Sequence, residues 1–189
     1  MKKTLTLVVV VIVILIAGFF ALNSYIYNEK QGDGLPQDFK EVTFTVSGEP
    51  VTLKNGVAEA VTALGGASKT IIRYFGNEVT HDVDGDGVED AVFLITQEIG
   101  GSGTFFYAVG ALKRGDGYIG SQAVLLGDRI APQTTERGEG RMVVVNYTER
   151  AYGEPMTASP SVGKSLWLLL DPKTLQFGEV VQNFEGESR

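Results

Sequence analysis

Asp82-Val83-Asp84-Gly85-Asp86-Gly87-Val88-Glu89-Asp90-Ala91-Val92-Phe93-Leu94-Ile95 is the stretch that decides how this chain folds. Carboxylates stand at positions 1, 3, 5 and 9 of its first nine residues, with Gly87 at position 6. Alternating Asp residues on a tightly turning loop point their oxygens at one centre, and Ca²⁺ takes roughly six to eight oxygen ligands. Gly87 permits the sharp turn that a side chain would resist, and Val88 at position 7 offers a backbone carbonyl. The five residues from Ala91 are apolar and rich in branched side chains. They read as a buried strand entered straight from the loop, not as a helix.

Position 12 is Phe93, where an EF-hand supplies a bidentate Glu. The pattern therefore resembles the strand-flanked, Asp-rich loops of FG-GAP-type repeats more than a helix-loop-helix. The resemblance implies ion ligation by Asp82, Asp84, Asp86, Val88 and Asp90, with Ca²⁺ as the cofactor. It occurs once in the chain, so it implies no propeller. Without a bidentate ligand the expected affinity is weak, in the sub-millimolar to millimolar range of extracellular modules. The alternative is a plain Asp/Gly turn between strands. Mutual repulsion of four carboxylates favours the cation.

Strand signals spread outward from this loop. Val42, Phe44 and Val46 alternate with Thr43 and Thr45, the period of a half-buried strand. Asn55-Gly56 is a strong hairpin signal between Val51-Thr52-Leu53 and Val57-Ala58-Glu59. Further strands are expected over Thr70–Phe75, Ala91–Gln97, Thr104–Leu112, Tyr118–Leu126, Arg141–Tyr147, Leu166–Leu170 and Gln176–Val181. Residues 57–64 could instead form a short helix that Gly65-Gly66 stops. Short strands with Gly, Asp and Pro between them predict a mainly β domain over 41–181, an antiparallel sandwich or barrel.

The N-terminus has a different character. Met1-Lys2-Lys3 is basic, and 5–21 is uncharged and apolar. With its flanks this segment approaches the ~20 residues that cross a bilayer. Residues 1–27 are therefore expected to be a transmembrane signal anchor of bacterial style. The N-terminus would be cytoplasmic and the C-terminal domain extracytoplasmic. A cleavable signal peptide is the rival, but bulky residues surround the Ala17 and Ala21 region where small ones are wanted. The absence of Cys excludes a lipid anchor on cysteine. Residues 28–40 read as a tether and 182–189 as a frayed tail.

From Gln31 onward 13 Lys+Arg face 22 Asp+Glu, a net charge of −9. That balance argues against a nucleic-acid partner, whose binding depends on neutralising phosphates. Six acids fall between Glu78 and Asp90 with no Lys or Arg among them.

Catalytic signals are thin. His81 is the only histidine and there is no cysteine, which excludes His-rich zinc sites and Cys-His dyads. Ser102, in Gly100-Gly101-Ser102-Gly103, lacks a nucleophile elbow, and no phosphate-loop Lys follows. Asn146-Tyr147-Thr148 matches the N-glycosylation pattern at a strand end. The loop 149–164 presents Arg150, Tyr152 and Glu154, a set suited to a peptide or sugar. Arg129 joins them if two loops converge, or simply pairs with Asp128 and tacks the loops down. Glu154 with Asp128 would be the acid pair of a glycoside hydrolase.

Tyr74-Phe75-Gly76-Asn77-Glu78, the acidic loop, Gly101-Ser102-Gly103-Thr104-Phe105, 126–133 and Gly153-Glu154-Pro155-Met156 together resemble a group of uncharacterised exported bacterial proteins. That resemblance implies an exported domain and no mechanism. The expected function is a membrane-anchored, extracytoplasmic calcium-binding module, structural or binding, whose partner is an envelope protein or glycan. The alternatives are an envelope hydrolase acting on glycan or peptide, and an inhibitor that presents the 149–164 loop.

Overall fold

The computed structural model describes residues 35–61 and 69–181. The expected anchor 1–27, the tail 182–189 and residues 62–64 of the possible helix lie outside them. Among the described residues no helix is long and apolar enough to cross a membrane.

Among the described residues twelve strands follow one another: β1 Thr43–Val46, β2 Glu49–Thr52, β3 Val57–Val61, β4 Lys69–His81, β5 Asp90–Glu98, β6 Phe105–Arg114, β7 Gly117–Gly120, β8 Val124–Asp128, β9 Ala131–Arg137, β10 Val143–Glu149, β11 Val162–Asp171 and β12 Gln176–Glu179. They form a hairpin β1-β2, a sheet β3-β4-β5-β6-β7 in which β8 also pairs with β6, and a sheet β12-β11-β10-β9. Neighbouring strands are antiparallel throughout. The sheets stay open, which removes the barrel alternative.

The central sheet is covered on both faces. Ala91, Phe93 and Ile95 of β5 pack with Phe44, Val46 and Leu53 of the hairpin side. Leu94, one residue out of phase, packs with Val145, Tyr147 and Leu168 of the four-stranded sheet. Val92 joins Val83, Leu112, Val143 and Leu170 in a third cluster. The unbroken apolar run of β5 follows from this, because a strand covered on both sides has no solvent face. Fully burying one such side chain is worth about 1.5–3 kcal/mol.

The local chemistry is as expected at Asn55-Gly56, where both residues have positive φ (51° and 78°). Lys54 and Val57 exchange backbone hydrogen bonds across that turn. The predicted hairpin does not follow, however. β2 pairs with β1 while β3 pairs with β4, so the turn joins two layers. Strand β3 also replaces the helix reading over Val57–Val61.

Other expectations are corrected by tertiary hydrogen bonding. The single strand over Tyr118–Leu126 is two. Ser121 turns inward and exchanges bonds with Gly110, while Thr45 and Ala123 bond across the break (2.8 Å). Gly120 lies against the Thr43 carbonyl, where any Cβ would collide. The tether expected over 28–40 is already packed chain by Leu35. Pro36 accepts the Tyr118 N–H (2.9 Å), and Phe39 stacks among Tyr74, Phe93 and Tyr118. Strand β9 carries too little apolar alternation to be read from sequence. It is an edge strand, a place in a sheet where a proline such as Pro132 is tolerated.

Candidate metal centre

The loop 82–89 is spanned by the end of β4 and the start of β5. Gly85 and Gly87 take positive φ (83° and 87°), conformations that L side chains resist. The Asp side chains shape the turn through their own backbone. Asp82 accepts N–H bonds from Gly85 (2.7 Å) and Gly87 (3.0 Å). Asp84 accepts from Asp86 (3.1 Å), and Asp86 from Val88 (2.8 Å). As a result one oxygen each from Asp82, Asp84 and Asp86 lies within 4.8 Å of the others. Two unit charges at that separation repel by about 3 kcal/mol at an effective dielectric constant near 20.

Arg114 relieves that repulsion, and two further arginines brace the loop. The Arg114 guanidinium, at the end of β6, pairs with Asp84 and with Asp86 (2.9 Å). Asp84 is a buried side chain, so this pair is shielded from solvent on one side. Arg141 donates to the Val83 carbonyl (3.2 Å), and its side chain fills the space beside Gly85. Arg137 pairs with Glu89 (2.6 Å) on the exposed flank. His81 bonds the Gly140 carbonyl through Nε2 (2.9 Å) at the edge of the loop.

Asp90 stands apart from the three-carboxylate group. It is 1% exposed, and its two oxygens accept the backbone N–H groups of Val83 (3.1 Å) and Lys113 (2.8 Å). It thus ties the base of the loop to β6. Burial pushes its carboxyl up to about 6, against the two amide bonds that pull it down. Val88 lies on the exposed side of the loop.

The second predicted set is also distributed. Asp128 is gripped by the Arg129 guanidinium (2.9–3.2 Å) and accepts the Thr104 N–H (2.9 Å). Burial raises the Asp128 carboxyl, but the bonds from Arg129 and Thr104 and the charges of Arg129 and Arg150 outweigh it. The net shift is below the ordinary value. Arg150 donates to the carbonyls of Arg129 (2.9 Å) and Ala158 (2.6 Å), so the two loops do converge. Glu154 accepts the Ala151 N–H (2.9 Å), and Tyr152 projects wholly into solvent. Arg129 and Arg150 therefore fasten loops, while Tyr152 is free on their surface. Ser102 is exposed on a bend, and Asn146 is engaged across β10 with Thr134 and Ser165.

The residues that sequence reading missed are Arg114, Arg137 and Arg141. The antiparallel register of β5 on β6, with Ala91 opposite Ala111, brings Lys113 and Arg114 to the mouth of the acidic loop. That pairing is the only signal from which Arg114 was accessible. The donor set of three clustered carboxylates suits a hard cation, whose identity the geometry leaves open. Comparison with protein-family models, curated proteins and solved structures finds no match.

Proposed function

We propose that the 82–90 loop binds one weakly held Ca²⁺. On this reading the β domain is a calcium-clipped binding or structural module, held outside a membrane by residues 1–27, with an envelope protein or glycan as partner. The observation that carries the ion is the convergence of Asp82, Asp84 and Asp86 within 4.8 Å. An FG-GAP-like loop would add the Val88 carbonyl and Asp90. Asp90 would have to release an amide to join. A cation taking the oxygens that Arg114 holds on Asp84 and Asp86 would have to displace its guanidinium, which agrees with weak affinity. The basic start, the apolar 5–21 segment and the acidic body support the orientation.

Thermal unfolding of the full-length chain in detergent tests the ion reading, in EDTA, in millimolar calcium and in millimolar magnesium. A ligand that binds only the native state raises the melting temperature. We expect a calcium-selective rise that Asp84→Ala with Asp86→Ala abolishes. A rise that survives the double variant moves the ion elsewhere, and no rise reduces the loop to a turn fastened by Arg114.

A second reading, an inhibitor presenting the 149–164 loop, is favoured by one feature. Tyr152 (108% exposed) and Met156 (47% exposed) project from a loop that Arg150 pins at two carbonyls. Capture of an envelope protein that is lost in Tyr152→Ala would support it. The hydrolase alternative draws no such support, since Asp128 is held by Arg129 and the Thr104 N–H, and Glu154 is bonded within its own loop.

A further inference from the structure

The inner face of the four-stranded sheet turns polar at one end. Alternation along β10 puts Tyr147 and Glu149 on the face of buried Val143 and Val145. Cross-strand register puts Lys164 opposite Tyr147, and Glu179 opposite buried Leu168. Strand β8 approaches this end with Val124 and the exposed Leu125. A cleft of about 280 Å³ lies between them.

The polar groups around this cleft are incompletely paired. Tyr147 is only 7% exposed, yet its hydroxyl has no hydrogen-bond partner among the described residues. It is not sealed in the core either, since the one fully enclosed unpaired side-chain oxygen among them is that of Thr135. Glu179 likewise has no hydrogen bond or ion pair from its carboxylate among the described residues. Glu149 holds the Lys164 ammonium at 3.1 Å. Burial, then the charges of Glu149 and Glu179, push the Tyr147 hydroxyl up, so it is neutral at neutral pH and free to accept a hydrogen bond.

We propose that this cleft binds an alkylammonium group, a primary amine cation on an aliphatic stem such as a lysine side chain carries. The ammonium has three donors and no acceptor, which matches the oxygens of Tyr147, Glu149 and Glu179. The stem has Val124, Leu125 and Leu166 to cover it. Lys164 shows that the same chemical group already sits against Glu149 there. Two carboxylates against one lysine leave a single negative charge, which a monocation neutralises and an anion would not. The volume is just under the ~300–1,000 Å³ of drug-sized sites, so it suits one side-chain-sized group. None of the acidic-loop residues takes part, so this site stands or falls separately from calcium.

The test is a methyl-labelled NMR titration of the full-length chain in detergent micelles. The probe is Nα-acetyl-lysine methylamide. The control is Nα-acetyl-norleucine methylamide, which keeps the stem and lacks the ammonium. Saturable shifts of the Val124, Leu125 and Leu166 methyls are expected with the lysine probe only. Glu179→Gln and Tyr147→Phe, which nearly preserve side-chain size, should each weaken binding at least tenfold while keeping the melting temperature. Equal shifts with norleucine would overturn the proposal in favour of a merely apolar groove. Lysine shifts undiminished in both variants, or no cleft shift up to the solubility limit, would overturn it outright.

Discussion

Replacing Arg114 with methionine asks whether a guanidinium and a cation compete for the same carboxylates. Arg114 is 23% exposed in its side chain, Asp84 is 1% exposed and Asp86 is 38% exposed. Removing one partner of a fully buried ion pair costs about 3–5 kcal/mol, because the other charge is left uncompensated. An exposed pair is worth about 0–1 kcal/mol. Here one carboxylate is buried and the other half open, so about 2 kcal/mol is the reasoned loss in EDTA. For a chain of this size that lowers the melting temperature by roughly 4–8 °C. If an ion must displace Arg114, the same ~2 kcal/mol returns as tighter calcium binding in the variant, about thirtyfold. Urea unfolding in EDTA and in calcium, with calorimetric titration of both proteins, reads the two quantities. A loss of equal size with and without calcium, at unchanged affinity, would refute the competition. A loss under ~0.5 kcal/mol in EDTA would show that the pair contributes no more than a surface contact.

Three further outcomes follow from the packing. Phe93→Ala should cost about 3–5 kcal/mol in urea unfolding, since the ring is fully buried among Phe39, Phe44 and Tyr74; a loss below ~1.5 kcal/mol would contradict the two-sided burial of β5. Asp128 has a folded-state pKa below its unfolded value, so its stabilisation is present above the unfolded pKa and is lost as pH falls through the folded one. Asp128→Asn should therefore flatten the acid limb of the stability profile, and an unchanged limb would count against the Arg129 clamp. Tyr152→Ala should leave stability within ~0.5 kcal/mol, whereas Arg150→Ala should cost about 1–3 kcal/mol through its two carbonyl bonds; equal effects in chemical denaturation would reverse their assigned roles.

The β class and the position of the acidic turn were legible because their signals are local. Alternation over Val42–Val46, the apolar run from Ala91 and the Asn55-Gly56 pair each reflect a preference of a few adjacent residues. Gly85 and Gly87 announce the turn because positive φ is cheap only for glycine. Partnership is not local. The sequence shows a run of acids without a nearby base, and the fold brings Arg114 to them across the β5–β6 register. Asp90 looks like one more ligand, yet burial against β6 gives its oxygens to two backbone amides. Asn55-Gly56 turns the chain as its dihedral preferences require, but the core on either side of the central sheet draws β2 and β3 into different layers. The Tyr147 cleft exists only because β8 from one sheet closes over the end of another. Residues 82–90 by themselves determined a tight, carboxylate-rich loop. Antiparallel pairing over long sequence separations decided which charges and which open space surround it, since hydrogen-bond register is a property of two strands and neither strand carries it alone.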